Sequence, residues 1–361
     1  MTTDATSPPP ILIVGAGLSG LVAAHRLTAA GRAVRVLEAR SRVGGRTWAV
    51  PALPAGPLID LGATWGWQHH QRLLALAREL GVAWFEQYSA GSIAYEAGAT
   101  VHRLAQPSGS AGYLRFAGGA AALAQALAAA LPPGCVQLDT QVTRIESAPT
   151  GVVLTATHQG QQQQYPGAAV VVALPPRLAA HSFIFAPALP SAVTAAQQAT
   201  PIWMSHAMKS VLVYDRPFWR AAGWAGFVVS QSGPLVEIHD ASPADGQPGV
   251  LFGFFAAPHP LRAADAAIRQ AAVVTQLTRL FGPEAATPKA YHELDWTQDP
   301  FTSVPGDEQP PQSVPLQGPA VLREPLWDGR LLWAGAETAQ GEWGRLDGAI
   351  EAGERAAARL G

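Results

Sequence analysis

Gly15, Gly17 and Gly20 form a Gly-x-Gly-x-x-Gly set directly after the apolar run Ile11-Leu12-Ile13-Val14 and ahead of a helical stretch reaching about Ala30. In that setting the residue types suit a dinucleotide. Gly15 permits a tight turn, Gly17 lets a pyrophosphate approach the backbone, and Gly20 lets the helix pack closely on the strand; Leu18 and Ser19 open a helix whose N-terminal dipole favours phosphate. Glu38 ends a second strand, Ala33–Leu37, 18 residues beyond Gly20. A carboxylate there accepts hydrogen bonds from ribose hydroxyls and repels a 2′-phosphate. Ala39 and Arg40 follow, then Arg42, Gly44, Gly45 and Arg46, which offer backbone and guanidinium groups to further phosphates. The glycine pattern alone is weak in a chain with 36 glycines; strand, helix and acid in register strengthen it.

A second set of residues lies far downstream. Lys209 opens the apolar stretch Ser210 to Tyr214, followed by Pro217-Phe218-Trp219, and is one of only two lysines beside 22 arginines. From spacing alone it reads equally as a strand-edge lysine whose head reaches solvent or as a site lysine whose donors hold a bridging water. Near the end come Gly335-Ala336-Glu337-Thr338 and Trp343-Gly344-Arg345-Leu346-Asp347-Gly348-Ala349, a strand exit with an acid and then a helix start.

The run from Gly15 through Glu38 and Gly44-Gly45-Arg46 to Asp60-Leu61-Gly62-Ala63-Thr64-Trp65-Gly66-Trp67, together with the Gly335–Thr338 element and its helix, resembles the flavin-containing amine oxidases, the monoamine and polyamine oxidases. The resemblance implies an α/β fold: a Rossmann-like FAD-binding domain with a second β-sheet-plus-helix substrate domain. It implies FAD held by Gly15, Gly17, Leu18, Ser19, Gly20, Glu38, Ala39, Arg40, Gly44, Gly45, Arg46, Gly62, Ala63, Thr64, Trp65, Val142, Trp296, Gly335, Glu337, Gly344, Leu346 and Ala349. It also implies a catalytic group of Lys209, with a water near flavin N5, and Trp65, Trp296 and Trp343. Trp67, Trp203 and Phe301 fall in segments the resemblance places near the flavin, although any one of these aromatics is also an ordinary packing residue. Members that bind flavin covalently carry a cysteine shortly after the position of Trp296; Phe301–Pro305 has none, so noncovalent FAD is expected. No tyrosine lies between Trp343 and Gly348, so substrate preference does not carry over.

The activity implied is hydride transfer from the α-carbon of a small amine to flavin N5, giving an imine, with reoxidation by dioxygen to H2O2. Three alternatives stand beside it: an FAD-dependent desaturase or dehydrogenase, an L-amino-acid oxidase using Arg345 or Arg115 to clamp a carboxylate, and a noncatalytic flavoprotein subunit. His69 and His70 read as a helix start.

Composition narrows the remaining classes. Charged residues are 14%, the net charge is −2 and there is no basic run, so no nucleic-acid partner is expected. The single cysteine, Cys135, makes no internal disulfide and no Cys/His set has zinc spacing, so a metal-free site in a reducing compartment is expected. With no signal peptide, membrane anchor or long apolar run, the reading is a cytoplasmic protein away from membranes; a homodimer is left open.

The elements that must position these groups follow from periodicity. Residues 1–9 read as a flexible leader. Residues 10–85, 115–177 and 306–361 are assigned to a discontinuous FAD-binding domain, and 86–114 with 178–305 to the substrate-binding domain. Helices are expected at His70–Leu80, about 119–131, near 263–281 and from Asp347. Continuous apolar strands are expected at Ala168–Leu174 and Leu331–Ala334, β-rich segments at 91–103, 136–157, 207–214, 226–230, 235–239 and 250–255, and a hairpin loop at Gln161–Gln164.

Overall fold

The structure, a computed structural model, describes residues 9–105 and 112–361. Apart from Pro9, the expected leader lies outside the described residues.

Five short strands form a wholly parallel sheet in the order Val136–Gln137, Val34–Leu37, Ile11–Val14, Ala169–Val172, Leu331–Trp333. Ile11–Val14, Ala169–Val172 and Leu331–Trp333 are continuous apolar runs because both faces are covered. Strand Ile11–Val14 shows how. Ile11 and Ile13 pack with helices Leu18–Ala29, Ala121–Ala130 and Leu346–Leu360, whereas Leu12 and Val14 pack with Val142, Ile145 and Leu154 of a mostly antiparallel sheet on the other side. Chain order reverses about this central strand, and its carboxyl end is therefore the crevice where α/β sheets bind ligands. Gly20 keeps the first helix close to that crevice: a Cβ there would stand 2.0 Å from the Gly15 carbonyl oxygen and 3.0 Å from the Ala173 Cβ.

The layer on the side of Leu12 and Val14 runs Gln161–Gly167, Gly151–His158, Thr140–Ala148, Ile184–Ala186, antiparallel except for the last strand, which pairs parallel to Thr140–Ala148. The expected hairpin loop at Gln161–Gln164 is instead the start of an edge strand, and the turn is Gln159-Gly160, both with positive φ (50° and 77°). Two such residues make a tight hairpin turn that matches strand twist. Four exposed glutamines carry no apolar alternation, which is why the strand was invisible in sequence. Two helices, Pro176–Ser182 and Ser191–Ala199, were also missed. With Ile184–Ala186, which pairs with Arg144–Glu146, they pack residues 178–199 against the layer that holds Val142, Ile145 and Leu154.

A seven-stranded sheet forms the other half, ordered Ala290–Asp295, Met208–Tyr214, Gly249–Phe255, Leu235–Asp240, Trp224–Ser230, Ser92–Ala97, Thr100–Leu104. Strand parity decides where Lys209 goes. Met208, Leu212 and Tyr214 pack toward helix Ala266–Phe281, whereas Val211 and Val213 pack toward Ile59 and Leu61 of the first half. Lys209 shares their parity and faces the junction between the halves. The strand Ala290–Asp295 and the short strands within 49–86 were not anticipated; none exceeds six residues.

Gly20→Ala is expected to lower the unfolding free energy by about 1–3 kcal/mol, since the new methyl group meets backbone that cannot yield. Urea unfolding checks this; unchanged stability would mean that the helix can move off the strand.

Candidate active site

A cavity of about 340 Å³ lies at the junction of the two halves, reaching from Gly15 and Gly17 to Lys209 and Trp65. At its first end Gly15 takes φ +100°, and Gly44 N–H donates to the Ala16 carbonyl, which brings the Gly44-Gly45 loop beside Gly17. A Cβ at Gly17 would meet nothing within 4 Å. The backbone there borders open space at a helix N-terminus, with no side chain capping that helix. This is the cradle a pyrophosphate needs. Glu38, buried, accepts from Ala16 N–H (2.7 Å) and Arg40 N–H (2.9 Å), one per carboxylate oxygen, and keeps acceptor capacity for ribose hydroxyls. Leu18, Ser19, Ala39, Gly62, Ala63, Thr64, Val142, Leu346 and Ala349 also line the cavity. These residues fit FAD.

Several expected contacts are made differently. Glu337 does not line the cavity: its fully buried carboxylate receives Arg46 Nη1 at 2.6 Å, Arg46 Nη2 at 3.1 Å and the Trp203 N–H at 3.2 Å. A carboxylate so engaged has no hydroxyl to seek, and its work is to hold Arg46. Gly335 is likewise behind the wall, its α-carbon against the Leu174 carbonyl, and Gly20 packs helix on strand as described. The loop arginines are partly engaged within the protein. Arg40 binds Asp299 (2.6 Å) and Thr302 Oγ1, and Arg42 lies over Trp48 and donates to Val43 and Gly45 carbonyls. Arg40 nonetheless lines the cavity, and Arg42 keeps one buried Nη2 without a partner.

At the other end Lys209 is 1% exposed and lines the cavity, which excludes the reading of a solvent-reaching head. Its Nζ donates to Thr64 Oγ1 (2.7 Å) and the Gly62 carbonyl (3.2 Å) and sits 3.9 Å from the Phe252 ring centroid. Burial pushes its pKa well below the ordinary lysine range, with Asp60 opposing and Arg115 reinforcing the fall. Burial drives Asp60 the other way, up from the carboxylate range, against the pull of Lys209 and Arg115. Trp65 lines the cavity too, stacked on Tyr113 at 4.6 Å with its N–H on Gln87; Trp296 lines it with its N–H on the Leu61 carbonyl. Trp67, Trp203 and Phe301 also reach the wall.

Trp343 does not. Its ring is buried edge-on to Trp203 (5.9 Å) and its N–H donates to the Glu337 carbonyl, so the expected catalytic tryptophan is a packing residue. Arg115 is buried on the Ser242 carbonyl and does not reach the cavity, whereas Arg345 lines it, next to Gly344. His69 and His70 do not line it. Tyr113, Phe254 and Met204 were not foreseen. Tyr113 stands between Gly112 and Leu114 with no periodic mark, and Phe254 shows only in that it pairs across the sheet with Lys209.

The fold and this cavity define a two-part α/β protein with a cradle for a dinucleotide cofactor. Comparison with known proteins makes the class specific: the model of the family described as flavin containing amine oxidoreductase matches residues 18–99 and 82–361, and the chain belongs to that family. AofH of Mycobacterium tuberculosis, provisionally named a flavin-containing monoamine oxidase, is 29% identical over 472 residues, covering 100% of this chain and 99% of its own. The L-amino acid dehydrogenase of a Synechocystis strain is 26% identical, with 96% and 93% covered. Among solved structures, cyclohexylamine oxidase from Brevibacterium oxydans superposes with a TM-score of 0.83 at 23% identity, over 98% of each chain, a likeness of fold. The protein is accordingly an FAD-dependent oxidoreductase acting on C–N bonds. FAD is held noncovalently, and the one cysteine, Cys135, lies outside the cavity with Sγ on the Val34 carbonyl. No described helix is long and apolar enough to cross a membrane.

Two outcomes test this site. Arg46→Met leaves Glu337 buried without its partner and should cost about 3–5 kcal/mol of stability and release FAD; adding Glu337→Gln should recover part of the loss, read by denaturation and the flavin absorbance. Lys209 is less protonated folded than unfolded, so from its depressed pKa up to about 10.4 the unfolded chain binds more protons and stability rises with pH. Wild type should therefore gain on Lys209→Met between pH 8 and pH 10 in urea unfolding; parallel curves would place Lys209 in water.

Proposed function

We propose that the chain oxidises a small amine with an apolar or ring-bearing substituent to the imine, with dioxygen as final acceptor. The observation that carries this reading is that the only lysine in the cavity is buried against its aromatic end, continuous with the dinucleotide cradle. FAD, when bound, supplies the two-electron acceptor for the α-carbon hydride and hands the electrons on to dioxygen as H2O2.

The chain's own groups do the rest. Trp65, Tyr113, Phe254 and Trp296 make an apolar wall that strips water from the substrate, so an amine is received there in its neutral form. A neutral nitrogen keeps the lone pair that assists loss of hydride from the neighbouring carbon, and no general base is needed for that step. Lys209 spends two of its three donors on Gly62 and Thr64 and keeps one for the cavity, where it can hold a water or meet charge that develops on reduced oxygen. The imine released is hydrolysed by water.

An amino-acid substrate is supported by one feature, Arg345 at the cavity wall, and by the Synechocystis relative's name. Against it, Arg345 Nη1 lies 2.6 Å from Glu342 Oε2, so its charge is already met and a substrate carboxylate would have to displace that partner. Amines without a carboxylate are therefore favoured.

Anaerobic mixing of the FAD-loaded protein with primary, secondary and aromatic amines and with L-amino acids should bleach the flavin for apolar amines first. Lys209→Met should keep FAD and slow reoxidation by dioxygen more than reduction. Failure of every amine to bleach the flavin would overturn the proposal; bleaching by amino acids alone would transfer it to the Arg345 reading.

A further inference from the structure

Trp67 and Arg345, both at the cavity wall, touch a group of side chains that flavin chemistry does not use. The His70 ring meets Trp67 edge-on at 4.9 Å between centroids, and Arg345 lies over the same indole. His70 Nε2 is 3.0 Å from Glu342 Oε2, and His69 Nε2 is 3.3 Å from Glu342 Oε1. Two imidazoles thus converge on the two oxygens of one carboxylate, and one ligand atom from each of the three residues lies within 4.8 Å of the others. Among the described residues no other His/Cys/Asp/Glu set is so gathered.

His70 has a fully buried side chain whose ring is held between Trp67 and Glu342. Its Nδ1 is buried with no hydrogen-bond partner. His69 is 60% exposed and leaves the group open to solvent on one side.

We propose that His69, His70 and Glu342 bind a borderline-soft divalent cation such as Zn2+ beside the mouth of the substrate cavity. Two imidazole nitrogens and a carboxylate oxygen are a three-ligand set with a fourth position left for water. The surroundings narrow the choice of ion. Arg345 shares Glu342, and the group lies at the start of helix Gln71–Glu79, so net charge draws a cation weakly; Asp347 relieves this in part by accepting from Leu73 N–H at 2.9 Å. Hard oxygen-seeking ions such as Mg2+ depend on that charge, whereas Zn2+ gains from the imidazoles themselves. Occupancy would compete with Arg345 for Glu342 and couple metal binding to the cavity wall.

The test is calorimetric titration of untagged, FAD-loaded protein with zinc chloride, with magnesium chloride as control, and it needs no turnover, so it stands or falls apart from the proposed amine oxidation. One equivalent of zinc should bind, magnesium should not, and His69→Ala, a change at an exposed side chain outside the cavity, should weaken zinc by at least about tenfold. Absence of zinc binding, equal binding of magnesium, or an affinity untouched by His69→Ala would overturn the proposal.

Discussion

The buried ion pair between Arg46 and Glu337 joins the two ends of the chain, 291 residues apart, and the cavity depends on it. A carboxylate with no exposure must be fully paired or pay several kcal/mol in lost hydration. Arg46 meets both of its oxygens, and the Trp203 N–H adds a third donor. Arg46 also donates to the Trp203 carbonyl at 3.0 Å. Three segments, the glycine-arginine loop, the segment leading into the second sheet and the exit from the last parallel strand, are thereby clamped around one carboxylate. Trp343 closes the arrangement from behind by taking the Glu337 carbonyl and packing on Trp203.

The far end of the cavity is organised around a second costly charge. Lys209 is held by a hydroxyl, a carbonyl and an aromatic face, while Asp60 and Arg115 lie close enough to bias its protonation. Asp60 takes one backbone N–H, from Ala120, and leaves its other oxygen unpartnered; Arg115 leaves Nε unpartnered. Such incompletely satisfied buried charges reduce stability, which is the pattern expected where a site tunes one amine for chemistry. The aromatic residues around them do the complementary work: they keep bulk water away, so those charges act at full strength.

Much of the fold was legible because its signals are local. The strand, glycine turn, helix and acid of residues 11–38 lie within one short stretch, and continuous apolar runs marked Ile11–Val14, Ala169–Val172 and Leu331–Trp333 of the parallel sheet. The Gln161–Gly167 strand, the helices after Pro175 and the strand Ala290–Asp295 were not legible, since edge exposure or short length erases periodicity. The same divide runs through the site. Gly15, Gly17, Gly44, Gly45, Gly62 and Glu38, whose spacing encodes backbone geometry, line the cavity, whereas Glu337, Gly335 and Trp343 lie behind the wall. Their residue types suit a cofactor, but which partner a side chain takes depends on what folds against it.

The amino-acid order by itself determined the class of cofactor, the two-part α/β plan and the lysine to watch, because turn chemistry, apolar periodicity and a rare residue are properties of contiguous chain. Only the tertiary structure decided that Lys209 is buried rather than solvent-reaching, that Glu337 serves Arg46, and that Tyr113 and Phe254 complete the aromatic wall. Those outcomes turn on strand parity and on contacts between residues a hundred or more positions apart, where the cost of burying an unpaired charge selects one partner among many.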